Sequence, residues 1–112
     1  MASFEKQDVG GIRVLRLSGN LTQHDVEELE PSFQAALPDG TRAVVDLGDV
    51  ELITTPGITL IISTTKRLRD TRGRVVFTAA RGGVLDVLRR CRLDEVLELA
   101  SDRDEAVAIA KT

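Results

Sequence analysis

Apolar and polar residues follow two rhythms along this chain, and the rhythm changes at breaks marked by glycine or proline. Residues 3–8 precede Gly10-Gly11, and Ile12-Arg13-Val14-Leu15-Arg16-Leu17 follows. Two short strands about a Gly-Gly turn predict an N-terminal β-hairpin. Ser18-Gly19-Asn20 then breaks the pattern. Thr22 is placed as a helix N-cap, with Asp25 three residues on. Val26, Leu29, Phe33 and Ala36 or Leu37 recur at helical spacing. Pro31 falls inside this stretch and predicts a kink or a restart. Pro38-Asp39-Gly40 closes it as a turn.

Residues 42–47 carry the nearly continuous apolar run Ala43-Val44-Val45-Asp46-Leu47, which predicts a central strand buried on both faces. Gly48-Asp49 and residues 50–54 read as a link. Thr55 as cap and Pro56 as first helical residue predict a helix start. Ile58, Ile61, Ile62, Thr65 and Leu68 share one face of that helix, and Gly73 ends it. Residues 74–79 hold Val75-Val76-Phe77, another buried strand. Gly82-Gly83 opens a helix with Val84, Leu85, Val87, Leu88 and Cys91. Residues 96–99 form a last short strand, and Ser101 caps a final helix through Val107 and Ile109. Strand and helix alternate from residue 42 onward, which predicts parallel strands joined by crossovers. The expected class is α/β: a mixed sheet with an N-terminal β-hairpin, parallel βαβ units and about four helices.

The 112 residues suit one domain spanning 1–112. Aromatics are confined to Phe4, Phe33 and Phe77, so the core must be aliphatic. That scarcity also removes the stacking platforms that single-stranded nucleic acid needs. A net charge of −3 argues further against nucleic acid as a partner. Cys91 has no second cysteine to pair with, which fits a reducing compartment, and its place on an apolar helical face predicts buried packing. The N-terminus lacks an apolar signal segment, and no run approaches the ~20 apolar residues of a membrane span. A cytoplasmic chain without membrane insertion is expected.

His24 is the only histidine and has no ligand-spaced partners, so no metal site is expected. No Gly-x-Ser-x-Gly nucleophile motif is present. Gly82-Gly83 lacks the full dinucleotide or P-loop pattern and reads as a tight turn into a helix. Neither an enzyme nor a cofactor is expected. Lys66, Arg67, Arg69, Arg72 and Arg74 form a basic cluster, read either as a solvated helix end or as an electrostatic docking patch.

The run Val44-Val45-Asp46-Leu47-Gly48-Asp49-Val50-Glu51-Leu52-Ile53-Thr54-Thr55-Pro56-Gly57-Ile58 resembles the centre of STAS domains. There, a strand ending in Asp-Leu leads through a short hydrophobic loop to Asp-Ser-Ser-Gly-Leu at the head of a helix. The order of elements matches over essentially the whole chain, as does Arg92-Leu93-Asp94-Glu95-Val96-Leu97-Glu98-Leu99. The resemblance implies an anti-sigma factor antagonist that acts by partner switching. Such an antagonist binds an anti-sigma factor that is itself a serine-threonine protein kinase. Phosphorylation at the helix start then dissociates the pair, and a phosphatase resets it.

Residue by residue, the family's Asp falls on Thr54, its phosphoacceptor Ser on Thr55, the next Ser on Pro56 and its Gly on Gly57. Thr55 is therefore the implied phosphoacceptor, with Thr54 as a second candidate hydroxyl. The implied partner-binding residues are Thr54, Thr55, Pro56, Gly57 and Ile58. The acidic residue is absent, Thr replaces Ser, and Pro56 removes a hydroxyl and a backbone donor. These departures keep open an alternative: a non-phosphorylated STAS scaffold subunit in a signalling or lipid-transport assembly, with Thr55 a plain cap. A small enzyme or nucleotide binder rests only on Gly82-Gly83 and fold analogy. Whether the chain forms a homodimer is left open.

Overall fold

The computed structural model describes residues 2–112. Ten elements follow in order: β1 (Ser3–Val9), β2 (Ile12–Leu21), α1 (Gln23–Ala36), β3 (Arg42–Ile53), α2 (Thr55–Asp70), β4 (Arg74–Thr78), α3 (Gly82–Arg90), a 3-10 turn (Leu93–Glu95), β5 (Glu98–Ala100) and α4 (Arg103–Lys111). The five strands make one sheet in the order β1-β2-β3-β4-β5. β1 runs antiparallel to β2, and the pairs β2–β3, β3–β4 and β4–β5 are parallel. The expected α/β architecture with a hairpin and crossovers is therefore present. Gly10 and Gly11 have φ of 57° and 85°, so the two-residue hairpin turn uses the positive φ that glycine adopts freely.

The sheet buries both faces. On one, α1, α2 and α3 cover Leu15, Leu17, Val45, Leu47, Val75 and Phe77. On the other, α4 alone covers Ile12, Val14, Val44 and Val76 with Ala106, Val107 and Ala110. The core is aliphatic apart from Phe33 and Phe77, and Phe33 meets the half-buried Phe4 edge-on with centroids 6.0 Å apart. Arg74 grips Glu98 through two guanidinium nitrogens and also donates to Thr112 Oγ1 at 2.7 Å. Its side-chain hydrogen bond to Glu98 pushes the guanidinium pKa upward.

Several boundaries differ from the sequence reading, each for an identifiable reason. Helix α1 continues from Gln23 to Ala36 through Pro31 rather than restarting. Pro31 is exposed, while Val26, Leu29, Phe33 and Ala36 stay buried, so packing on both sides of it outweighs the missing hydrogen bond. Cys91 is exposed, because α3 ends at Arg90 and the helical face that carries Val84 and Leu88 does not extend to it. The last strand begins at Glu98; Val96 lies before it and is 53% exposed. Asp102, not Ser101, caps α4, accepting from the Glu105 N–H at 2.8 Å.

The largest difference lies in the middle of the sheet. Strand β2 passes through Ser18-Gly19-Asn20 to Leu21, and β3 passes through Gly48-Asp49 to Ile53. Leu47, Val50 and Ile53 all face the same core, yet they are spaced by three residues, which a regular strand of period two cannot do. The pairing resolves this. Arg16 opposes Asp46 and Ser18 opposes Asp49; Gly19 opposes Val50 and Asn20 opposes Leu52. Each step places one extra residue in β3, so the strand carries two bulges.

At the end of α2, Arg72 takes the left-handed conformation (φ 67°). The Arg72 N–H donates to Arg69 O at 3.3 Å and the Gly73 N–H to Leu68 O at 2.7 Å, the pattern of a Schellman motif. Gly73 is needed for space instead: a Cβ there would collide with the carbonyl oxygen of Thr41. Two opposite effects are expected in thermal unfolding. Gly73→Ala should lose about 1–3 kcal/mol through overpacking. Arg72→Gly should gain up to about 1 kcal/mol by relieving the left-handed residue.

Candidate functional site

The bulged half of β3 delivers the chain to the start of α2, where Thr54, Thr55, Pro56, Gly57 and Ile58 lie. Thr54 is extended (φ −119°, ψ −178°), and its carbonyl accepts the Ile58 N–H at 3.0 Å. Thr54 is therefore the N-cap residue. Thr55 is the first helical residue and Pro56 the second, a shift of one from the sequence reading. The Thr54 hydroxyl does not cap its own helix. Its N–H and its Oγ1 both donate to Leu21 O, each at 3.2 Å, which ties the helix start to the end of β2. Thr54 is half-buried.

Thr55 differs from its neighbour on every count. It is exposed, and its hydroxyl makes no hydrogen bond among the described residues. It stands beside the first N–H groups of α2, at the positive end of the helix dipole. Pro56 removes one of those donors. Gly57 is buried because the helix start presses on the sheet. A Cβ there would sit 2.7 Å from Leu21 Cβ, 2.8 Å from Ile53 Cγ1 and 2.9 Å from Leu21 O. Ile58 is half-buried, and Ile62, one turn further along α2, is 40% exposed; Leu52, near the end of β3, is 47% exposed.

Thr55 also forms part of a shallow groove between α1 and α2, with Val26, Glu27, Glu30, Pro56 and Leu60 among its lining residues. Two carboxylates thus share the groove with the Thr55 hydroxyl, and no Lys or Arg lines it. A phosphate placed on Thr55 would meet like charge from its own chain and find no guanidinium to neutralise it.

The remaining sequence candidates lie elsewhere. Arg67 turns towards α1, donating to Asp39 Oδ1 at 2.7 Å and to Gln34 Oε1 and Leu37 O at 2.6 Å each. Arg74 is held by Glu98, so the basic run does not act as one free patch. His24 is exposed beside Glu28 at 3.0 Å. Gly82-Gly83 opens α3 with Gly82 at φ 55°, while the preceding Arg81 reaches back to Gly48 O at 3.0 Å. Among the described residues, no group of three or more His, Cys, Asp and Glu side chains could hold a metal ion, and no helix is long and apolar enough to cross a membrane.

The two threonines should separate in stability measurements. Thr55→Ala is expected to change stability by less than about 0.5 kcal/mol, as for an exposed unbonded side chain. Thr54→Val should cost about 0.5–1.5 kcal/mol for the hydrogen bond to Leu21 O. Chemical denaturation of both variants tests the contrast.

The family model described as "Mlab, STAS domain" matches residues 5–99. BtrV of Bordetella bronchiseptica, a candidate anti-sigma factor antagonist by name, is 28% identical over 105 residues, covering 93% of this chain and 90% of that protein. Among solved structures, an anti-sigma factor antagonist from Mycobacterium paratuberculosis superposes with a TM-score of 0.89 at 20% identity, covering 100% of this chain and 96% of the other. The Bacillus cell fate determinant SpoIIAA in its phosphorylated form gives a TM-score of 0.65 at 20% identity, covering 95% and 97%. The chain has the SpoIIAA-like fold, and with the family model spanning both the bulged strand and the helix start, it belongs to the STAS domain family.

Proposed function

We propose that this chain is an anti-sigma factor antagonist. It acts as a non-enzymatic binding module that docks through Thr54, Thr55, Pro56, Gly57 and Ile58 and is released by phosphorylation of Thr55. The observation that carries this reading is the asymmetry of the two adjacent hydroxyls. Thr54 spends its hydroxyl on Leu21 O, whereas Thr55 offers an exposed and uncommitted one. The names of the similar proteins supply the partner class: an anti-sigma factor. In this reading that factor is a serine-threonine kinase, a phosphatase reverses the mark, and the exchange takes place in the cytoplasm.

The electrostatics support release rather than intramolecular capture. Phosphate adds about −1.5 to −2 charges at neutral pH. On Thr55 that charge stands in a groove that already holds Glu27 and Glu30, at the centre of the proposed docking surface. A partner seated on residues 54–58 and the helix that follows would have to desolvate it. An affinity loss of about 1–3 kcal/mol, roughly 5–150-fold, is expected.

The direct test is incubation with a cognate anti-sigma kinase and ATP, followed by mass spectrometry of the peptide that carries both threonines. Phosphate is expected on Thr55 and not on Thr54, and Thr55→Ala should bind but resist release. Stable binding with no phosphate on either residue would reject the switch. That result would favour the scaffold-subunit alternative, to which Pro56 and the absent acidic residue point.

A further inference from the structure

The first bulge of β3 leaves Gly48 as an extra residue opposite β2, and side chains satisfy its backbone groups. The Gly48 N–H donates to Asp46 Oδ1 at 2.8 Å, and Arg81 Nη2 donates to the Gly48 carbonyl at 3.0 Å. The second oxygen of the same carboxylate, Asp46 Oδ2, accepts from Arg103 Nη2 at 2.9 Å. Asp46 is well covered, its side chain 14% exposed. Gly48 is closely packed: a Cβ would lie 3.1 Å from Asp46 Oδ1 and 3.3 Å from Ala79 Cβ, so the latch carboxylate would have to give by a few tenths of an ångström. One turn of β3 is thus latched by its own aspartate, by the residue that precedes α3 and by the first residue of α4.

We infer that Asp46, held by Arg103, is a positioning residue for the docking loop, acting through the bulge at Gly48. The inference rests on the reading of residues 54–58 as that loop. Its logic is one of register. If the bulge relaxes, the remainder of β3 shifts by one residue and every following side chain changes face. Val50 and Ile53 would leave the core. Ile53 pairs with Leu21, whose carbonyl holds Thr54. The latch therefore decides whether Thr54 is pinned and Thr55 presented. It also makes α4, which lies on the opposite face of the sheet, a contributor to the geometry of the loop.

The competing account is that Arg103–Asp46 only staples α4 to the sheet. Hydrogen exchange of individual backbone amides separates the two in the isolated chain. The variants are Asp46→Ala and Arg103→Gln, with Arg103→Lys as the conservative replacement. Arg74→Gln is the control, because it loosens α4 from its other end at Thr112 without touching Gly48. Exchange of the Thr54 and Ile58 amides should accelerate about tenfold or more in Asp46→Ala and Arg103→Gln, revert largely in Arg103→Lys, and stay unchanged in Arg74→Gln. Unchanged Thr54 and Ile58 amides in Arg103→Gln, with α4 amides exchanging faster, would overturn the inference. That variant decides the matter if Asp46→Ala does not fold. The measurement uses neither partner nor phosphate, so its failure leaves the docking reading standing. Failure of the docking reading would appear instead as partner affinity indifferent to Thr55→Glu and to Ile58→Asp.

Discussion

A strand of period two must place Leu47, Val50 and Ile53 on one face at three-residue intervals, and the rest of the site follows from how this is done. Two extra residues in β3 absorb the mismatch, one near Gly48 and one near Glu51. They let the strand stay paired with β2 as far as Ile53 while keeping its apolar side chains in the core. The end of β3 consequently arrives beside Leu21, and the chain turns into α2 with Thr54 bonded to the Leu21 carbonyl. Gly57 follows because nothing larger than hydrogen fits between that helix start and the sheet. The position of Thr55 is thus a product of strand irregularity rather than of helix propensity.

Much of the architecture could be read from the chain because local signals and tertiary packing agree there. Gly10-Gly11 demanded positive φ and obtained it. Val44-Val45 and Val75-Val76-Phe77 are buried on both faces, as an uninterrupted apolar run implies. The signals failed where packing wins over local pattern. Ser18-Gly19-Asn20 and Gly48-Asp49 are breakers in isolation, but here they are bulged strand, and three-residue apolar spacing does not announce a strand. Pro31 likewise sits inside an intact helix because the apolar face of α1 is anchored before and after it.

For the site, the resemblance pointed to residues 54–58, and the structure brings them together at one helix start. The resemblance ranked Thr55 above Thr54 as acceptor, but the physical difference between the two hydroxyls could not be read from sequence. Which hydroxyl is engaged depends on Leu21, a residue 33 positions from Thr54 that no local motif reveals. Asp46 belongs to the same class of long-range partner. As part of an Asp-Leu strand ending it looks like a terminus signal, yet its carboxylate reaches Arg103, 57 positions away. Glu27 and Glu30, too, read as the polar side of an amphipathic helix, and only the packing of α1 against α2 sets them in one groove with Thr55.

The unequal engagement of Thr54 and Thr55 means that the difference between two identical neighbours is set by tertiary structure as well as by the motif. An enzyme that grips an extended peptide meets two free hydroxyls that differ only in their flanking residues. One that acts on the native fold meets a single free nucleophile. Under the proposed switch, a mark on Thr55 rather than Thr54 would therefore also depend on the fold being intact.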